Sequence, residues 1–419
     1  MKYVLVIGDG MADNPIPELQ EKTPLQHAKT PTFDKLASTG ILGSALTIPD
    51  GMQAGSDTAM LSIFGYDPRQ FFSGRAPLEA AAVGITLSAG DIAYRVNMVS
   101  FEDSKDVNIA YKDKKIMSHS AGGIDGKTSD ELIKDLCNLP KFKEAIERAG
   151  ITIYPGSSFR HIGVQSGLKN VDISSSHPLT PPHDHLGETL GQHLPKGSEN
   201  AAELSELMRL AHDYLNTHPL NDQRRANGEL PANGIWFWAE GVALELPNFV
   251  EKYNKTGTVI SAVPLCQGIG MLIGLERILV KGATGELHTN YEGKVDAAIS
   301  SLLTHDFTTV HIEAPDECTH NGDLKGKLQA IEWVDSRVVA PIIQRLSESK
   351  TDFRLLIMPD HRTLMSTRGH DSGMVPYALY DSRNPQKTAV RSFCEADAAD
   401  TGIVTVGTSL MDLLFETKI

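Results

Sequence analysis

The chain has 419 residues, 41% of them hydrophobic and 22% charged, enough to bury a large core and to form two domains or three. Lysine and arginine number 39 against 53 aspartates and glutamates, and the net charge of −14 argues against nucleic acid or an anionic membrane as partner while leaving a small anionic substrate to be met by local cations. Cys137, Cys266, Cys318 and Cys394 are scattered without C-x-x-C spacing, which argues against a disulfide framework or a thiolate zinc site and for a reducing compartment.

The first element is the apolar run Tyr3–Ile7, which stops at Gly8-Asp9-Gly10. It reads as a strand buried on both faces of a largely parallel sheet, with Asp9 at its carboxyl end, and not as a signal peptide. No apolar run reaches transmembrane length, so a cytoplasmic protein is expected. Thr30-Pro31 opens a helix with Phe33, Leu36 and Ala37 on one face, and Gly40 closes it. A short helical pattern, Thr58–Ile63, follows Ser56 and ends at Gly65.

From residue 88 to 258 the texture changes to short strands (Ile92–Val99, Ser158–Val164, Ile235–Trp238), a helix through Leu204–Leu215 and turn-rich stretches. This reads as an α+β domain inserted into a core made of residues 1–87 and 259–419. Near the other terminus the strand–helix grammar returns. Thr309–Glu313 and Phe353–Met358 read as strands leading to Asp316 and Asp360, and Leu324 to Leu346 recur at the spacing of one long amphipathic helix. In open α/β sheets functional groups gather at the carboxyl ends of strands, so Asp9, Asp316 and Asp360 are expected to converge.

These aspartates, with His320 four residues after Asp316, His361 beside Asp360, His370 in a glycine-rich turn, and Ser56, supply carboxylates, imidazoles and a hydroxyl. That is a full ligand set for two divalent cations with a serine placed to become a nucleophile, which points to phosphoryl transfer. Ser56 by itself also fits an ordinary helix N-cap. Pro181-Pro182-His183-Asp184-His185 reads as a loop or substrate contact in preference to a third metal site. Arg75, in Gly74-Arg75-Ala76-Pro77, and Arg160-His161 are either surface charge or holders of a carboxylate or phosphate.

The motifs Val6-Ile7-Gly8-Asp9-Gly10-Met11-Ala12-Asp13, Gly55-Ser56-Asp57-Thr58-Ala59, Leu61–Pro68, Gly74–Ala80, Gly282-Ala283-Thr284-Gly285, Asp316-x-x-x-His320 and Pro359-Asp360-His361 resemble the alkaline phosphatase superfamily. Within it they are similar to the archaeal-type, 2,3-bisphosphoglycerate-independent phosphoglycerate mutases, and Ser158–His161 and Pro182-His183-Asp184 look like that family's insert. The resemblance implies an α/β fold with a three-layer alkaline-phosphatase-like core, a mostly parallel sheet and an inserted α+β substrate domain. It implies two divalent ions, Mn²⁺ or else Co²⁺, Zn²⁺ or Mg²⁺, and no bisphosphoglycerate. Asp316, His320 and His370 would hold one ion, with Asp9, Ser56, Asp360 and His361 around the other and Ser56 taking the phosphoryl group. Arg75, Arg160, His161 and Lys294 would hold a small phosphorylated carboxylic acid, with Asp184 as acid/base for its hydroxyls. The implied reaction exchanges 3- and 2-phosphoglycerate through a phosphoserine. The competing readings are another phosphomonoesterase, phosphonate hydrolase or phosphomutase of the superfamily, or a non-catalytic binder of metal and phospholigand.

Overall fold

The computed structural model describes the chain except residues 104–108, 157, 168–178, 198–199, 244, 386–388 and 417–419. It divides into two compact units, Met1–Phe72 with Glu245–Ile419, and Ser73–Leu244. Both junctions fall earlier than the expected 87/88 and 258/259. The reason is packing: helix Arg75–Ala82 lies on the sheet of the inserted unit, with Ala76 and Ala80 against Ala93, Ile162 and Val164, whereas Gly257–Ile260 is a strand of the main sheet.

In the first unit eight strands lie in the order Val404–Val406, Ile41–Leu46, Val375–Asp381, Phe353–Met358, Lys2–Gly8, Phe307–Ile312, Gly257–Ile260, Glu276–Arg277. Only Val375–Asp381 runs against the rest. Helices Pro31–Thr39, Tyr291–Ser301 and Ala340–Glu348 form one outer layer, and Ser56–Ile63, Pro264–Leu272 and Leu410–Phe415 the other, so the three-layer α/β core is as expected. Lys2–Gly8 is the central strand. Val4 to Ile7 are fully buried because both faces are covered, which explains the uninterrupted apolar run.

Register does the rest. Gly8 pairs with Ile312 and Ile7 with Met358, so the next residues along these parallel strands, Asp9, Glu313 and Asp360, emerge side by side at one sheet edge. The expected single helix over Leu324–Leu346 is instead Leu324–Trp333, a wide π turn over Val334–Val339, and Ala340–Glu348. Pro341 accounts for the change, since it offers no N–H to the ladder and its ring crowds the preceding turn.

The inserted unit is built on an antiparallel sheet. Strand Ile92–Phe101 pairs with Arg160–Gln165, Gly234–Val242 and Ile116–Ser118, and Ile151–Tyr154 extends the far side. Helices Gly126–Asn138, Pro140–Arg148 and Ala201–Leu215 pack over a core that includes Tyr94, Val96, Met98, Leu136, Phe142 and Leu207. Alternation along the strand turns Ala93 and Arg95 to the opposite face, toward helix Arg75–Ala82, where Arg95 meets Glu79 at 3.1 Å. Among the described residues no helix is long and apolar enough to cross a membrane.

Candidate active site

Asp9 is wholly buried where the central strand ends. Gly10 follows at φ +61°, and a Cβ there would collide with Thr363 Oγ1 and Asp316, so the turn that aims Asp9 requires glycine. Ser56 is the first residue of its helix, and Gly55, not Ser56, occupies the N-cap position with no side-chain cap bond. The Ser56 hydroxyl donates to Asp9 Oδ2 at 3.3 Å and lies 3.2 Å from His361 Nε2. His361 Nε2 in turn is 3.4 Å from Asp9 Oδ1 and 3.4 Å from Asp360 Oδ2.

Asp316 and His320 share a face of helix Ala314–His320, with His320 Nε2 3.0 Å from Asp316 Oδ2. His370 comes from the hairpin Arg362–Leu364/Gly369–Asp371 and places its Nε2 3.6 Å from Asp316 Oδ1 and 3.1 Å from His320 Nε2. Thr363, on the same hairpin, donates to Asp316 Oδ1 at 2.5 Å. The donor atoms of Asp316, His320 and His370 all lie within 4.8 Å of one another, as do those of Asp9, Asp316 and His361. All seven predicted ligands are thus brought to one place.

Two further groups stand there. His311, on strand Phe307–Ile312, places Nε2 3.1 Å from Asp9 Oδ2, and its Nδ1 meets Ser261 Oγ at 3.1 Å. Glu313, in register with Asp9, completes a third set of donors with Asp9 and His311. Burial draws the His311 pKa down to about 4, so the ring is neutral and its contact with Asp9 is a hydrogen bond rather than an ion pair. Burial, then the charge on Asp316, lifts Glu313 to about 7. Burial, then Asp360 and Asp316, raises Asp9 well above the usual carboxylate range. Asp316 goes the other way: burial opposes its charge, but hydrogen bonds from His320 and His370 hold it well below that range. His320 rises to about 9 through its bond to Asp316.

Asp9, Glu313, Asp316 and Asp360 concentrate carboxylates at one place, where the His320 imidazole, its pKa raised, pairs with Asp316. Asp360 Oδ1 accepts from the N–H groups of Gly10 and His361, yet Asp360 Oδ2, Asp9 Oδ1 and Glu313 Oε2 are buried with no hydrogen-bond partner. Buried, unpartnered carboxylate oxygens beside imidazoles fit divalent cations, whose charge would offset the repulsion and whose coordination suits a mixed oxygen and nitrogen set.

Lys294 departs from expectation. It lies inside helix Tyr291–Ser301, fully buried, with Nζ donating to the His311 carbonyl at 2.9 Å, and burial lowers it to about 8. It braces the strand that carries His311 and feels the charge of Glu313. His161 departs too. Fully buried, it accepts from the Gly156 N–H on Nδ1 at 3.1 Å and meets Ser129 Oγ through Nε2 at 3.0 Å, so both nitrogens are engaged within the inserted unit.

The His161 pKa falls to about 4 through burial. A histidine whose folded pKa lies below its unfolded value of 6.5 contributes fully above 6.5 and loses that contribution as pH falls toward the folded value. Between roughly pH 7 and pH 4.5 this one group should remove about 2 to 3 kcal/mol of stability. Denaturant titrations of the wild type and His161→Gln at both pH values measure it. The glutamine variant should lose less stability on acidification, and equal losses would contradict the assignment.

The other insert candidates do cluster. Arg160 is exposed, its guanidinium 4.5 Å over Phe159, and Arg75 is half-exposed beside Glu79. Asp184 is exposed and lies 3.5 Å from His183. His183, expected in a loop or at the substrate, stands with Arg95 and His119, which carry no signal in the motifs. Arg95 is buried with its guanidinium 4.3 Å over Trp238, His183 packs 5.2 Å from the same ring, and His119 stands 5.9 Å from His183 and 5.8 Å from Phe159. His119 Nδ1 is buried without a partner. An arginine inside a fully buried strand was the available signal for this pocket of cations.

A family model described as 2,3-bisphosphoglycerate-independent phosphoglycerate mutase matches residues 37–221. A probable 2,3-bisphosphoglycerate-independent phosphoglycerate mutase of Geobacter sulfurreducens is 41% identical over 99% of this chain and 100% of its own length. The mutase of Methanosarcina barkeri is 42% identical over the full length of both chains. Among solved structures, the PH0037 protein of Pyrococcus horikoshii superposes with a TM-score of 0.79 at 28% identity, covering 100% of this chain and 98% of that one. With full-length relatives above 40% identity, the chain belongs to the 2,3-bisphosphoglycerate-independent phosphoglycerate mutase family.

Proposed function

We propose that the protein interconverts 3- and 2-phosphoglycerate without bisphosphoglycerate, with Ser56 as the phosphoryl acceptor. The observation that carries this reading is the Ser56 hydroxyl at a helix N-terminus, 3.3 Å from Asp9 and 3.2 Å from His361, among carboxylates with buried oxygens that have no hydrogen-bond partner. Asp316, His320 and His370 would hold one divalent ion, Mn²⁺ by preference, and Asp9, Asp360 and His361 with Ser56 the other; His311 and Glu313 stand ready to orient or supplement the second set. Bound there, the ions supply positive charge to the transferring phosphoryl oxygens and lower the pKa of the serine hydroxyl.

The chain's own groups do the remaining work. Ser56 Oγ gives up its proton and attacks phosphorus in line, the P–O bond to C3 breaks, and the released C3 oxygen takes up a proton. The positive end of helix Ser56–Ile63, whose glycine N-cap makes no side-chain bond, favours the phosphoserine dianion. The C2 hydroxyl of the retained glycerate then gives up a proton and attacks the phosphoserine, breaking the P–Oγ bond. Water must be kept from that bond, or the enzyme becomes a phosphatase. To Arg75, Arg95 and Arg160, with His119 and His183, we assign the substrate's carboxylate and phosphate charges, and to Asp184 a proton-transfer role at the glycerate hydroxyls.

Formation of 2-phosphoglycerate is followed by coupling to enolase, with and without bisphosphoglycerate. Full activity without it, lost to chelator and restored by Mn²⁺ or Co²⁺, is expected; full activity after chelation contradicts the reading. Arg160→Ala should lower mutase turnover while inorganic phosphate rises as a share of all events, and Arg160→Lys should rescue part, because a point charge does not reproduce the bidentate fork. Simultaneous assay of both products checks this, and an unchanged ratio at an unchanged rate makes Arg160 surface charge.

A further inference from the structure

The loop leaving the Pro182–His185 turn carries a second set of ligand-type side chains, on the inserted unit and far in sequence from the Ser56 cluster. His185 Nδ1 lies 3.2 Å from Glu188 Oε2, and His193 Nε2 lies 2.7 Å from the same oxygen. The two imidazoles stack with centroids 3.9 Å apart and an interplanar angle of 20°. Their donor atoms and the carboxylate oxygen all lie within 4.8 Å of one another.

The frame that holds them is defined. Gly187 N–H donates to the Ile116 carbonyl at 2.7 Å, Ile116 N–H to the Glu188 carbonyl at 3.1 Å, and Leu190 N–H to the Lys114 carbonyl at 2.8 Å. Leu190 itself is fully buried in the core of the unit. Glu188 N–H also closes back on the His185 carbonyl at 3.1 Å. Two histidines and a glutamate are therefore presented from a segment clamped to a strand on one side and anchored in the core on the other.

We infer that His185, Glu188 and His193 form a binding site for a borderline divalent cation of the Zn²⁺ class. Two imidazoles and one carboxylate are the donor set such ions take, with a fourth position left to water. Tetrahedral ligands at about 2.0–2.1 Å from zinc stand roughly 3.3 Å apart. The His185–Glu188 separation of 3.2 Å already has that value, and the His193–Glu188 separation of 2.7 Å needs only a small opening. Stacked imidazoles sharing one carboxylate oxygen repel each other when both are protonated, whereas a cation at their point of convergence engages both ring nitrogens in the neutral state. Its consequence is local: the same turn carries His183 and Asp184, so the ion fixes the end of the segment that supplies them to the cationic pocket.

The test uses the full-length protein stripped with chelator and titrated with Zn²⁺ against a chromophoric competitor. The wild type should take up one equivalent more than His185→Ala/His193→Ala, and Glu188→Gln should keep that equivalent at an affinity weaker by about tenfold or more. Circular dichroism reports whether the double variant is folded; if it is not, His193→Gln replaces it, and loss of the one equivalent is again the expected result. Equal stoichiometry and equal affinities in wild type and variants overturn the inference. Zinc uptake by the Ser56 cluster is common to all these proteins, so its failure would leave the comparison intact.

Discussion

Ser56→Ala is expected to fold, to keep its stabilisation by Mn²⁺, and to lose mutase turnover by on the order of 10⁴-fold or more. The local structure separates nucleophile from cap. Gly55 holds the N-cap position, and Ser56 makes no cap bond; its hydroxyl reaches across to Asp9 and His361 instead. Removing a true cap would cost about 1 kcal/mol and leave turnover intact. A variant that keeps near wild-type turnover shows that the hydroxyl accepts nothing.

Asp9→Asn should act with opposite signs on stability according to the ions present. Asp9 is fully buried, and burial together with Asp360 and Asp316 raises its pKa, so near neutral pH its charge is disfavoured in the fold. For a carboxyl raised in this way, stability is present at low pH and lost as pH rises through the folded value. In chelated protein the amide removes that penalty, and the unfolding midpoint should rise. With Mn²⁺ present the wild type should gain stability that the variant does not, and turnover of the variant should fall by about 10³-fold or more. Thermal unfolding with and without chelator gives both signs. A variant less stable than wild type in chelator, or one that gains equally from Mn²⁺, contradicts the account.

The strand ends were legible because period and position coincide there. Tyr3–Ile7 is apolar throughout since both its faces are covered, and an aspartate directly after such a strand has nowhere to go but the sheet edge. Register then decides what sequence spacing does not: His311 and Glu313 reach Asp9 through strand pairing across 302 residues in the case of His311, and neither sits in a motif with Asp9. Lys294 and His161 show what sequence leaves open. Both were expected as holders of the substrate, and only packing reveals that each is buried and engaged by a neighbouring backbone group. The junctions of the insert were misjudged because helix Arg75–Ala82 carries a motif contiguous with the core in sequence while its alanines pack on the other sheet.

The measurement closest to the central claim is mass spectrometry of the Ser56 peptide after the Mn²⁺-loaded enzyme is mixed with 3-phosphoglycerate and quenched in acid within a turnover. One phosphoryl group on Ser56, absent in Ser56→Ala and discharged when glycerate is supplied in excess, is the predicted result. Turnover at the full rate with Ser56 unmodified at every quench time, or a phosphoryl group on another residue, would contradict it.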